Sequence, residues 1–150
     1  MSAPSRKRES ARPAAASRKA VFADARLSGA SFTNASMQRA SFDDVDLSRS
    51  TLHDVRLDRA SLDDVSAKAS TTRNATFTGS RFEDCDLSRT TIENATFAAA
   101  KLEDVSFAGA RITNVDLSGV VITDANIRGL VIDGVAIDAL LAREAKRRPK

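Results

Sequence analysis

At 150 residues, with a formal charge of +3, no Trp or Tyr and a single Cys, the chain has room for one domain and too few bulky side chains for a thick globular interior. The lone Cys85 excludes an internal disulfide framework, and no apolar run reaches the length of a signal-peptide core or a membrane span. A soluble cytoplasmic protein with a narrow, repetitive core is therefore expected. The charge is divided unevenly: residues 1–19 carry +5 and residues 140–150 carry +4, which leaves −6 on residues 20–139. Cationic ends flank an anionic body.

Residues 1–19 contain two prolines, many Ser and Ala, and no aromatic residue. Such a segment buries too little apolar surface to offset its ordering entropy and reads as a disordered basic tail. It reads as a solubilising tail, with a nucleic-acid-contacting arm, a lipid-attracted tail and an export address as the alternatives.

From Ala20 to Ala139 the chain is written in twenty-four five-residue words without insertion or deletion. The first letter is small, with eleven Ala and seven Val, and the third is large, with eight Leu, seven Phe and six Ile. All seven Phe of the protein fall on the third letter. A period of five matches neither the 3.6 of a helix nor the 2 of a flat strand, and it points to a solenoid. One small and one large inward position per word suit a chain that turns a corner at every word. Four corners close a square coil of twenty residues, and six coils stacked at the inter-strand spacing of ~4.8 Å make a rod about 29 Å long. Phe22, Phe42 and Phe82 should then share one column. Ala67 and Thr72 are undersized third letters among Leu47, Leu87, Leu52 and Ile92, where a void or an inward pinch is expected.

The words VDLSR (45–49), CDLSR (85–89) and VDLSG (115–119) resemble the pentapeptide-repeat proteins. The resemblance covers four-fifths of the chain and implies that family's fold, a right-handed quadrilateral β-helix, here an all-β solenoid of about six coils.

The twenty-residue register carries further detail. The fifth letters at 24, 44, 64, 84, 104 and 124 are all Asp, and those at 34, 54, 74, 94 and 114 are Asn or Asp. The other two corners carry Gly, Ala or Arg. Asx residues tolerate turn dihedrals and bond nearby N–H groups, so two opposite corners are expected to use turn chemistry of that kind. The fourth letters Asp43, Asp63, Glu83 and Glu103 lie beside Asp44, Asp64, Asp84 and Asp104, so eight carboxylates line one edge, with Arg81 and Lys101 nearby to relieve them. This stripe is either a solvated face or a docking surface for a basic partner.

After Ile137 a short C-terminal helix over residues 139–148 is expected, capped by Asp138 and ending in a basic tail over 140–150. Ile137, Leu140 and Leu141 would cover the open end of the last coil or form a dimer contact through it.

Catalytic chemistry is not legible. His53 is the only histidine and sits at an outward fourth letter, Cys85 is an inward small residue, and no phosphate loop or zinc-ligand spacing is present. No cofactor or metal is expected, and the chain reads as non-enzymatic. Three roles follow: a rigid protein-interaction or scaffold module; a DNA mimic that binds DNA gyrase or topoisomerase IV, as the resemblance implies for quinolone-resistance members; and a nucleic-acid or anionic-membrane binder acting through its basic tails.

Overall fold

The structure is a computed structural model that describes residues 19–148. The expectations for residues 1–18 and 149–150 lie outside the described residues. Thirteen strands, numbered in chain order, divide between two sheets. The first holds β1 (Val21–Ala23), β3 (Ser41–Asp46), β5 (Ser61–Ser66), β7 (Arg81–Glu83), β9 (Lys101–Glu103) and β11 (Val121–Thr123). The second holds β2 (Ser31–Thr33), β4 (Thr51–His53), β6 (Thr71–Arg73), β8 (Thr91–Thr96), β10 (Arg111–Asp116), β12 (Val131–Ile132) and β13 (Val135–Ala136). Except for β13, each strand pairs in parallel with the strand one coil on, twenty residues away, as in Phe22↔Phe42, Phe42↔Leu62 and Leu62↔Phe82. The expected column is present. Single bridges such as Arg56↔Thr76 and Asp86↔Ser106 continue the same register on the two intervening sides.

Alternation does the rest. Third letters from Phe42 to Ile112 and first letters from Ala40 to Ala110 are buried, and they fill a single bore. Rings stack along it, with Phe22 on Phe42 at 4.7 Å between centroids and Phe77 on Phe97 at 4.6 Å. No coil buries its apolar face alone; each coil is lid to its neighbour.

Through the first five coils every fifth letter has positive φ, from +50° at Asp24 to +74° at Gly29. The two kinds of corner differ in bonding. At the Gly, Ala and Arg corners the third-letter carbonyl accepts the N–H three residues on, as in Ala30 N–H to Leu27 O at 3.0 Å and Ala100 N–H to Phe97 O at 2.8 Å. No such bond closes the corners at Asp24, Asn34, Asp54 and Asn74. Asp and Asn adopt left-handed geometry at little steric cost, which accounts for their place there. Arg39, Arg49, Arg59, Arg89, Ala69 and Ala99 adopt it with the usual Cβ crowding.

The sixth coil is incomplete, which corrects the expectation of twenty-four stacked words. Asp133 and Gly134 both have positive φ, at +45° and +79°, and form a two-residue hairpin that sends β13 back antiparallel to β12. Two successive positive φ values suit the Asp-Gly pair, and the reversal removes the last word from the four-sided register. Helix α1 (Ile137–Arg147) follows directly. It starts two residues earlier than expected, and its N-cap is Ala136, which supplies no side-chain bond. Asp138 instead lies in the first turn, where its carboxylate accepts the Gly129 N–H at 2.9 Å and the Ala139 N–H at 2.7 Å. Glu144 pairs with Arg148, four residues on, at 3.5 Å.

Candidate functional site: an acidic edge

The strand register builds the edge. Asp43↔Asp63, Asp63↔Glu83 and Glu83↔Glu103 are direct neighbours in the first sheet, with Ala23 and Thr123 ending the column. The side chains of Asp43, Asp63 and Glu103 are exposed and Glu83 is half-buried. One residue further on, Asp44, Asp64, Asp84 and Asp104 form a second exposed column along the corner, lengthened by Asp24 and Asp124 to six. Ten carboxylates therefore occupy one side and its corner, against Arg81 and Lys101, a local charge of −8. The rest of residues 20–139 carries ten basic and eight acidic residues. The anionic character of the body is thus the property of one edge, and the remaining sides together carry +2.

Local electrostatics follow from this crowding. Desolvation, then the charges of Asp64 and Asp24, raise the Asp44 carboxyl above its ordinary range. Arg81 pairs with Glu83 at 2.6 Å, as its placement two residues upstream suggested, whereas Lys101 forms no ion pair among the described residues. The fifth-letter Asp side chains do not take up turn N–H groups. Second letters do: Asp46, Asp86 and Asp116 each accept the N–H of the Ser two residues on at 2.9 Å, and Asn126 accepts that of Arg128 at 3.1 Å. The Asp-Leu-Ser triplets in the sequence carry that signal, which is an Asx turn, and it leaves both edge columns facing water.

The other singled-out residues are placed apart from the edge. His53 lies between Thr33 and Arg73 in the second sheet, with Nδ1 2.9 Å from Asp54 and both side chains exposed. Cys85 is buried, and desolvation pushes its thiol up to about 11, so it is protonated at neutral pH. Among the described residues no group of three or more His, Cys, Asp or Glu is placed to hold a metal ion. Among the described residues no helix is long and apolar enough to cross a membrane. At the far end Ile137 is half-buried against the core, while Leu140 and Leu141 remain 47% and 52% exposed. Of the three residues expected to close that end, only Ile137 joins the packing, and Ile122 of β11 is left 42% exposed.

A four-sided coil of five-residue words, with charge sorted by side, defines a protein of the pentapeptide type. Family models agree. Residues 25–64 match Pentapeptide repeats (8 copies) and residues 77–134 match Pentapeptide repeats (9 copies), and the chain belongs to the pentapeptide-repeat proteins. No curated protein matches the chain. Similar solved structures include the pentapeptide repeat protein Rfr23 from the cyanobacterium Cyanothece 51142, at 17% identity over 75% of this chain and 91% of that one, with a TM-score of 0.43. HetL, from Nostoc sp. Strain PCC 7120 and involved in heterocyst differentiation regulation, is 22% identical over 79% of this chain and 62% of that one, with a TM-score of 0.35. Full-length QnrB1, a plasmid-mediated fluoroquinolone resistance protein, is 17% identical over 83% and 87%, with a TM-score of 0.22.

Proposed function

We propose that this chain is a non-enzymatic docking module whose working surface is the acidic edge from Asp43 to Asp104, and that its partner is a protein with a basic surface. The observation that carries this reading is the sorting of charge, −8 on the edge once Asp24 and Asp124 are included, while the rest of residues 20–139 sums to +2. Solubility alone is served as well by acids scattered on all sides; concentrating them on one rigid edge gives a directed field. The rod supplies stiffness, and the domain plan is a basic tail over 1–19, the docking body over 20–139 and a basic end over 140–150. The test replaces Asp43 and Asp63 with Asn and Glu83 and Glu103 with Gln, which leaves every corner intact. Partners captured by the wild-type chain should be lost; retention of all of them refutes the reading.

A narrower form takes the basic partner surface to be the DNA-binding face of a topoisomerase. It expects the wild-type chain to alter DNA gyrase supercoiling at micromolar concentration and the neutralised variant to do nothing. No effect of the wild-type chain removes it.

Pairing through the C-terminal end is a second reading favoured by a separate observation. Among the described residues, five of the six exposed large apolar side chains, Val121, Ile122, Val135, Leu140 and Leu141, lie at that end. Two copies joined there would double the length of the edge. Sedimentation should then show a dimer that Leu140→Glu with Leu141→Glu dissociates; a monomeric wild-type chain refutes it.

A further inference from the structure

The bore is polar at its waist. Ser50, Ser70, Thr72, Ser80 and Thr90 are its buried polar side chains, none more than 6% exposed. Two are satisfied within their own turn, with Ser80 Oγ donating to Phe77 O and Thr90 Oγ1 donating to Leu87 O at 2.8 Å. Ser50 Oγ is fully buried and has no hydrogen-bond partner. Ser50, Ser70 and Thr90 occupy one first-letter column, joined by the bonds from Thr71 N–H to Ser50 O and from Thr91 N–H to Ser70 O. Thr72 follows two residues after Ser70 on β6, between Leu52 and Ile92.

These hydroxyls meet a cavity. Ala67 and Thr72, the two undersized third letters, line an internal space of about 40 Å³ together with Ser70 and Thr90. Of the void and the inward pinch that the sequence left open, the structure has a space; it runs along the bore between Phe32 and Phe97 and includes the side chains of Ala67, Ser70, Thr72 and Thr90 in its lining. One water needs roughly 10–15 Å³ of such space and two to four polar partners, whereas a cavity of this kind stays dry when its walls are wholly apolar. The room is sufficient, and the polar partners on offer are the hydroxyls of Ser70, Thr72 and Thr90, set in walls that are otherwise apolar. Thr90 Oγ1, its proton committed to Leu87, retains lone pairs that accept; the Ser70 and Thr72 hydroxyls both donate and accept.

We propose that the bore contains a built-in water site held by Ser70, Thr72 and Thr90, with water standing in for the side-chain atoms that Ala67 and Thr72 lack. The volume admits about three molecules and the hydroxyls can satisfy one or two. This bound water, and not an inward pinch, is what keeps the walls at their spacing where the third letters shrink. The inference is independent of the docking reading, since it concerns only the inside of the rod.

The test is ¹⁷O magnetic relaxation dispersion on the full chain, which counts waters held long enough to tumble with the protein. The wild-type chain should show a dispersion step from internal water, and Thr72→Leu, which restores the usual third letter and fills the space, should lose the share belonging to one or two molecules. A wild-type chain without a step, or a step unchanged in a folded Thr72→Leu chain, overturns the proposal. Should Thr72→Leu fail to fold, electron density from the wild-type chain decides: a peak within hydrogen-bonding distance of Thr72 Oγ1 and Ser70 Oγ supports the site, and an empty bore overturns it.

Discussion

Asp64 sits in the middle of the corner column, with Asp44 and Asp84 one coil away on either side. Asp64→Asn removes one charge and keeps a residue suited to the left-handed corner, as Asn74 and Asn94 do on the opposite side. At ~4.8 Å in water each neighbouring pair of carboxylates repels by about 0.9 kcal/mol, so two pairs give about 1.7 kcal/mol before screening. A Debye length of about 8 Å at physiological salt removes nearly half of this, and exposed side chains splay apart. The substitution should therefore stabilise the fold by about 0.5–1 kcal/mol, seen as a urea midpoint raised by about 0.25–0.5 M for a slope near 2 kcal/mol/M. In 1 M NaCl, where the Debye length falls to about 3 Å, most of the gain should vanish. A loss of stability at low salt would refute the reasoning, because it would mean that the carboxylate is held by backbone donors and is not merely crowded.

Other outcomes follow from the same geometry. Phe97→Ala, which empties a buried site stacked on Phe77 and beside Phe82, should cost about 3–5 kcal/mol in chemical denaturation, and Phe22→Ala at the half-exposed first coil far less. Gly129→Ala has room, since its Cβ would sit 3.5 Å from Gly109 N, but at φ +70° it should cost about 1–2 kcal/mol; Ala69→Gly, at φ +55°, should cost nothing or stabilise. Two carboxylates should respond oppositely to acid. Partial burial pushes the Asp86 carboxyl up, but bonds from Ser88 and Lys68 outweigh it and leave it below its ordinary range. Its contribution is full above the unfolded value near 4 and is lost as pH falls through the folded one. Asp44 is raised, so its contribution is present at low pH and lost as pH rises through its folded value. Asp86→Asn should thus destabilise at pH 7 and less at pH 3, and Asp44→Asn should stabilise at pH 7 and not at pH 3, both read from urea midpoints.

Much of the fold was legible because the solenoid converts sequence spacing into neighbourhood: whatever recurs at twenty residues touches. The Phe columns and the acidic edge were readable on that basis alone. The end of the rod was not. Leu130, Ile132, Val135 and Ile137 keep the five-letter phase across Asp133–Gly134, so the apolar pattern masked a hairpin that the Asp-Gly pair alone announces. The role of Asp138 was missed for a related reason, since its partner, the Gly129 N–H, comes within reach only after the chain has reversed. Second-letter Asp residues were passed over because outward positions show no apolar period, although Asp46-Leu47-Ser48 spells the turn that the structure contains. Whether Ala67 and Thr72 leave a space or draw the walls in depends on the backbone, which residue sizes do not decide.

Everything assigned to the acidic edge depends on residues twenty apart lying over one another. Ala23 and Thr123 are exposed and end the column that runs through Asp43, Asp63, Glu83 and Glu103. Spin labels attached at Ala23→Cys and Thr123→Cys, with the buried Cys85 left unmodified, report that column by pulsed electron resonance. Five coils at ~4.8 Å predict a narrow backbone separation of about 24 Å. A broad distribution, or one centred beyond about 40 Å, would contradict the stacked register and with it the edge.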